Sequence, residues 1–90
     1  LAIASRCSSP KTGIVMEVYT DQPGVQLYTG NWMSGNLRGK HDHRYPARAA
    51  LCLETQHYPD SPNKPEYPST RLNPGETFRS TTIFRFTLEA

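Results

Sequence analysis

The stretch Thr77-Phe78-Arg79-Ser80-Thr81-Thr82-Ile83-Phe84-Arg85-Phe86-Thr87-Leu88 decides the fold class. Phe78, Thr82, Phe84, Phe86 and Leu88 alternate with Arg79, Thr81, Arg85 and Thr87, and Ile83 is the one apolar residue on the polar side. A period of two is the signature of a strand with one face turned to a core. The chain enters it through Asn73-Pro74-Gly75-Glu76, where Pro presets φ at the first corner and Gly accepts positive φ at the second. Further upstream, Gly13 opens Ile14-Val15-Met16-Glu17-Val18-Tyr19-Thr20, with Ile14, Met16 and Val18 on one face and Glu17 on the other. Asp21-Gln22-Pro23-Gly24 turns that run into a short strand, Val25-Gln26-Leu27-Tyr28-Thr29. Ala49-Ala50-Leu51-Cys52-Leu53-Glu54-Thr55 reads as the next strand, apolar almost throughout until its glutamate. No window repeats apolar residues at helical spacing, and eight prolines interrupt most candidates. Strands joined by Pro-Gly turns, without helices between them, predict an all-β, antiparallel sheet or sandwich. Four or five strands make only an incomplete sandwich, whose open edges invite pairing with another chain.

Two segments read as connections. Gly30 to Pro46 holds three glycines and two histidines without an apolar period, as a long loop does. In Tyr58–Pro68, Pro59, Pro62, Pro65 and Pro68 recur every third residue, which matches a polyproline II turn. No basic anchor flanks a clean PxxP there, so the reading is a rigid extended loop and not a ligand for an SH3-type partner.

Ninety residues allow one small domain with a thin core. Leu, Ile, Val and Phe supply 16 of the 90 residues, low enough to suggest disorder, but the net charge of +2 is too small to enforce it. The chain is expected to fold marginally or as part of something larger, and its start without Met suggests a piece cut from a longer chain. Lys and Arg are scattered one at a time, so nucleic acid is not an expected partner. The longest apolar run, Ala49–Leu53, is far too short for a membrane helix, and Leu1–Ser5 is too short for a signal peptide. Cys7 and Cys52 form no Cys-x-x-Cys motif and cannot build a disulfide framework. They read as reduced thiols of a cytoplasmic protein, with a single bridge between them left open to geometry.

Two residues stand out chemically. Glu54 ends an apolar strand, on the side of Cys52 and Gln56 and opposite Leu51, Leu53 and Thr55. A carboxylate partly desolvated by apolar neighbours is a stronger base, which suits general base catalysis, although an edge glutamate facing water has the same sequence. Gln26 points away from Val25 and Leu27, beside Tyr28; an amide next to an aromatic ring suits a sugar, with its hydroxyls and its C–H face. Trp32 can stack on a ligand or close its loop over the core. His41 and His43 share a metal only on a strand and lack a third ligand at short spacing, so solvated histidines and no metal are expected. His57 points to the face opposite Glu54, and Ser80-Thr81-Thr82 have no base beside them to make a nucleophile.

These residues belong to longer motifs. Pro23-Gly24-Val25-Gln26-Leu27-Tyr28-Thr29-Gly30-Asn31, Gly39-Lys40, Leu51-Cys52-Leu53-Glu54-Thr55-Gln56, Tyr58-Pro59-Asp60-Ser61-Pro62-Asn63, Tyr67-Pro68-Ser69 and Leu72-Asn73-Pro74-Gly75-Glu76 leading into Thr81-Thr82 resemble the C-terminal part of aldose 1-epimerases (galactose mutarotases). The resemblance runs from Gly13 to the end and covers about the last quarter of the family's chain, so residues 1–90 are expected to form the C-terminal part of one mutarotase-type β-sandwich. It implies interconversion of α and β anomers of aldoses such as galactose and glucose, without metal or organic cofactor. It implies that Glu54, in Leu-Glu-Thr-Gln, is the general base at the C1 hydroxyl, and that Gln26, in Pro-Gly-x-Gln-x-Tyr, is a sugar-hydroxyl ligand. The family's acid is a histidine upstream of this region, as are its further histidine, arginine and aspartate sugar contacts, and His41, His43 and His57 do not occupy those motif positions. Ala50 stands where many members have glycine, and His41 and His43 replace small or neutral residues. The isolated chain is therefore expected to be inactive. Its expected partners are a monosaccharide and either the missing N-terminal part or a second copy, as a homodimer or domain-swapped assembly. The alternative is a stand-alone carbohydrate-binding or assembly module without catalysis. Glu54 and Gln26 are expected on neighbouring strands with their side chains on one wall.

Overall fold

The structure, a computed structural model, describes residues 1–89. Five strands carry the fold: β1 (Ala2–Ser8), β2 (Ile14–Thr20), β3 (Gly24–Tyr28), β4 (Cys52–Gln56) and β5 (Thr82–Leu88), with 3-10 turns at Lys40–Asp42 and Ser61–Asn63. They form a three-stranded sheet in the order β1-β2-β5 and a two-stranded sheet of β3 and β4. Every pairing is antiparallel, so the chain is all-β as its alternation predicts.

The central strand β2 fixes the register. It pairs Ile14 with Leu88, Met16 with Phe86, Val18 with Phe84 and Thr20 with Thr82, which gathers the apolar alternates of two strands on one face. Glu17 stands opposite Arg85 on the other face, and the two form an ion pair at 3.0 Å. Strand β1 is not apparent from the sequence, because Ala-Ile-Ala-Ser-Arg-Cys-Ser alternates weakly; β2 templates it through a tight hairpin in which Gly13, at φ 76°, donates to the Ser9 carbonyl at 2.8 Å. A slip in register between Ile3 and Ser5 marks a bulge near the end of this edge strand.

Several boundaries differ from the expectation. The last strand begins at Thr82 and not at Thr77, because β2 ends at Thr20 and offers no partner upstream. Asp21 instead occupies that backbone: its carboxylate accepts from the Ser80 hydroxyl at 2.9 Å and the Thr81 N–H at 3.1 Å. Phe78 therefore lies outside the strand and does not share its apolar face. The fourth strand begins at Cys52 and not at Ala49, since Arg48 sits at φ 61° and the Ala49 N–H turns back to the Pro46 carbonyl. Tyr58–Pro68 is not a polyproline II segment. Asp60 is left-handed at φ 64°, and Asn63, Lys64 and Tyr67 donate to the carbonyls of Asp60, Ser61 and Lys64, bonds that an extended polyproline helix lacks.

The sheets meet through hydroxyls. Thr82 Oγ1 lies 3.1 Å from Thr20 Oγ1 and 2.8 Å from Thr55 Oγ1, which links β2, β5 and β4. The core is small, and Val15 and Val18 are its buried apolar residues. A Cα radius of gyration of 16.9 Å exceeds the ~12 Å of a compact domain of this length. The accessible surface, 7325 Å², exceeds the ~5,300 Å² of a compact protein of this mass. Much of the excess is apolar: Ile14, Phe84, Phe86 and Leu88 share one face of the three-stranded sheet and all are exposed. Among the described residues no helix is long and apolar enough to cross a membrane. Both cysteines are free, Cys7 on β1 and Cys52 on β4.

Candidate functional site

The two-stranded sheet holds both residues that the sequence singles out. Its register places Gln26 opposite Glu54, with Gly24 opposite Gln56 and Tyr28 opposite Cys52. Direct partners on one face stand with Cβ atoms about 5 Å apart, close enough for both side chains to reach one small ligand. Val25, Leu27, Leu53 and Thr55 alternate onto the other face, where Thr55 bonds to Thr82 of the larger sheet. Period-2 alternation on two paired strands thus separates a face that ties the sheets together from a face that carries an amide, a carboxylate and a second amide.

That second face is open to solvent. Glu54 and Gln26 are both exposed, so the apolar surroundings expected to desolvate Glu54 are not provided by these residues. The reason is that Leu53 lies on the opposite face, Ala49, Ala50 and Leu51 precede the strand, and Cys52, which shares the face of Glu54, is itself exposed. No ion pair among the described residues involves Glu54. The Gln26 amide is folded back along its own strand and donates to the Leu27 carbonyl at 3.2 Å, a weak local bond that a ligand hydroxyl can replace.

The other candidates lie apart from this pair. Trp32 is 84% exposed, so it neither closes its loop over the core nor packs on the sheet. His41 and His43 are exposed at the tip of the long loop, ring centroids 6.2 Å apart and nearly perpendicular. Among the described residues no three His, Cys, Asp or Glu side chains are grouped to hold a metal ion. The tip is shaped by Tyr45, whose hydroxyl accepts from the Lys40 N–H at 3.1 Å and lies where only glycine, Gly39, leaves room. His57 lines a cavity of about 360 Å³ with Asp21, Gln22, Pro68, Phe78 and Arg79. Ser80 is committed to the turn, accepting from the Gln22 amide at 2.7 Å while it donates to Asp21. The same contacts hold the Asp21 carboxyl below its ordinary range, chiefly the Thr81 N–H and then the Ser80 hydroxyl.

Sequence reasoning missed Tyr58 and Tyr67. Cys52, Glu54, Gln56 and Tyr58 recur every second residue, and Tyr58 folds over the open face where Gly24 has no side chain. Tyr67 stacks edge-on against it, with centroids 5.1 Å apart. The spacing of two was the available signal, obscured by the prolines that suggested a separate loop.

Known proteins carry the same sequence pattern. A family model described as aldose 1-epimerase matches residues 2–85. The chain is 49% identical to a galactose mutarotase of Mus musculus and 48% identical to one of Homo sapiens, each over 93% of this chain and 25% of the relative. An aldose 1-epimerase of Escherichia coli is 37% identical over 97% of this chain and 25% of its own length. The chain thus spans about a quarter of the relatives it matches. With nearly its whole length inside the match, the chain belongs to the aldose 1-epimerase family.

Proposed function

We propose that this chain is the C-terminal portion of a mutarotase that interconverts the α and β anomers of aldoses such as galactose and glucose. Glu54 serves as the general base and Gln26 as a sugar-hydroxyl ligand. The observation that carries this reading is the direct pairing of Gln26 with Glu54 on one open face, in a chain that matches the family over residues 2–85. Glu54 removes the proton of the C1 hydroxyl while an acid protonates the ring oxygen. The C1–O5 bond breaks as the C1–O1 bond becomes a carbonyl, which gives the open-chain aldehyde. Rotation about C1–C2 presents the other carbonyl face, and O5 attacks it as the two protons return along the same paths. The Gln26 amide, donor and acceptor at once, fixes the orientation of the ring hydroxyls.

The chemistry needs a second group. The acid belongs to a further part of the enzyme, and that part also excludes water from Glu54, which is exposed without it. The surface excess of the chain, its open strand edges and the bare Ile14–Phe84–Phe86–Leu88 face fit such a missing partner. A second copy of this chain, as a homodimer or domain-swapped assembly, would satisfy the same edges and supports the stand-alone module as the second reading. Two free thiols on separate sheets fit a reducing compartment, and the cytoplasm is the proposed location.

Polarimetry of α-D-galactose and α-D-glucose tests the reading. The 90-residue chain alone is expected to leave the spontaneous rate unchanged. A full-length enzyme containing this segment is expected to accelerate it and to lose at least a hundredfold on Glu54→Gln, the lower end of what a positioned base contributes, roughly 10²–10⁴-fold. Full-length activity that is indifferent to Glu54→Gln would remove Glu54 from the mechanism. Sedimentation of the 90-residue chain distinguishes the assembly reading, which requires a species of at least twice 10.1 kDa.

A further inference from the structure

We infer that Tyr58, seated on Gly24 and braced by Tyr67, is an aromatic wall of the Gln26–Glu54 face that takes the C–H face of a pyranose ring. This rests on the reading of that face as an aldose site and adds a binding residue to it.

The chain bends at His57, just past the end of β4, and the Tyr58 ring comes to lie against Gly24, the glycine opposite Gln56, on the face of Glu54 and Gln56. A Cβ on Gly24 would meet Tyr58 Cδ1 at 3.1 Å and Cε1 at 3.2 Å, so the ring lies directly against the glycine backbone. Tyr67 holds it from the side in an edge-to-face pair at 62°. The turn behind it is locked as well: buried Ser61 directs both its N–H and its hydroxyl to the Tyr58 carbonyl, and Asn63 Nδ2 donates to Asp60 at 2.6 Å. A rigid ring loses little freedom when a ligand covers it.

The wall also has an open side. Tyr58, Pro59 and Tyr67 line a hollow of about 530 Å³, and Tyr58 and Tyr67 remain 40% and 38% exposed. Fixed, exposed aromatic rings are poor in a hydration sense but well matched to a ligand that is apolar on one face and hydroxylated at its rim. The neighbouring groups supply the polar half of that match. The Gln26–Glu54 pair is one same-face step from the Gly24–Gln56 pair, about 7 Å along the strand. A pyranose whose C1 hydroxyl meets Glu54 therefore has its opposite rim at Gln56 and Tyr58. Its axial C–H bonds, slightly positive at hydrogen, are attracted to the negative face of the ring. A lipid chain would leave the row of Gln26, Glu54 and Gln56 unpaired, whereas the hydroxyls around a sugar ring both donate to and accept from it.

Saturation-transfer NMR on a full-length enzyme containing this segment, with methyl β-D-galactopyranoside, tests the wall. The blocked C1 cannot open, so binding is read without turnover. Irradiation of the protein's aromatic protons is expected to transfer to the sugar's ring C–H protons. Loss of the stacking contact in Tyr58→Leu is expected to weaken binding by about threefold to tenfold, the range for an aromatic contact, and Tyr58→Phe is expected to keep it. Tyr67→Leu, which leaves the Gly24 seat intact, is expected to weaken it in the same direction and serves as the test if Tyr58→Leu loses the amide dispersion of a folded chain. Glu54→Gln separates this inference from the catalytic reading, because a Tyr58-dependent signal that persists there supports the wall whatever Glu54 does. Absence of transfer to the wild-type enzyme, or equal transfer to wild type, Tyr58→Leu and Tyr67→Leu, would overturn the inference.

Discussion

Replacing Thr82 by Val should uncouple the two sheets while leaving each of them intact. Thr82 Oγ1 is the middle member of a hydroxyl chain, 3.1 Å from Thr20 and 2.8 Å from Thr55, and Thr20 is buried. Thr20 Oγ1 already accepts from the Gln22 N–H at 3.0 Å, so Thr82 is its remaining polar contact. Val keeps the volume and β-branching of Thr, and strand propensity is preserved. Two neutral hydrogen bonds at about 0.5–1.5 kcal/mol each predict a loss of about 1–3 kcal/mol. Against a total of roughly 5–14 kcal/mol for a chain of this length, that is a large share. It corresponds to a fall in Tm of about 5–20 °C. Urea unfolding followed by far-ultraviolet circular dichroism measures it, since Trp32 is too exposed to report. Thr82→Ser, which keeps the hydroxyl, should recover most of the loss. Hydrogen exchange should rise more in β3 and β4 than in β1, β2 and β5, because the smaller sheet loses its tie. A Thr82→Val chain within about 0.5 kcal/mol of wild type, the scatter of surface substitutions, would refute the view that this hydroxyl chain couples the sheets.

Three further outcomes follow from the same geometry. The Asp21 carboxyl is held low by the Thr81 N–H and Ser80 hydroxyl, so its contribution to stability is present above its ordinary value of 3.8 and lost as pH falls through the lower folded value; in an acid titration Asp21→Asn should be less stable than wild type above about pH 4, and the gap should close as the pH falls further. A Cβ at residue 39 would stand 1.8 Å from the Tyr45 hydroxyl, so Gly39→Ala should expel Tyr45, break its bond to Lys40 and raise amide exchange across Leu37–Tyr45 while β2 and β5 keep their protection. Glu54→Gln should change the stability of the chain by less than about 0.5 kcal/mol in urea, because an exposed carboxylate without an ion pair among the described residues holds nothing in place; a larger loss would make Glu54 a structural residue.

Fold class was legible because alternation is a local property. Ile14–Thr20 and Phe84–Leu88 show it in their own residues, and their pairing merely matched like faces. The Gln26–Glu54 pair was half legible: alternation gave each residue its face, and the family motifs gave the partners. Strand ends and lone strands were not legible in this way. Strand β1 has no pattern strong enough to read and exists because β2 offers it hydrogen-bonding groups. Thr77–Thr81 has the pattern but lacks a strand beside it, and Asp21 takes up its backbone instead. The proline period at Tyr58–Pro68 was real in sequence, yet a left-handed Asp60 and a buried Ser61 fold the segment into turns.

The sequence by itself therefore determined the all-β class, the two faces of the strands with a clear alternation, and the family. These follow from side-chain period and from motifs that survive in a single chain. Only the tertiary structure decided which strands flank β2, where the strands stop, that Glu54 stands in solvent and that Tyr58 crosses onto its face over Gly24. Each of these depends on what another part of the chain places beside a residue, and a residue's own type cannot encode its neighbour's position. The same reason explains the bare Phe84, Phe86 and Leu88: alternation marks them for burial, and burial requires a partner surface that these residues alone do not supply.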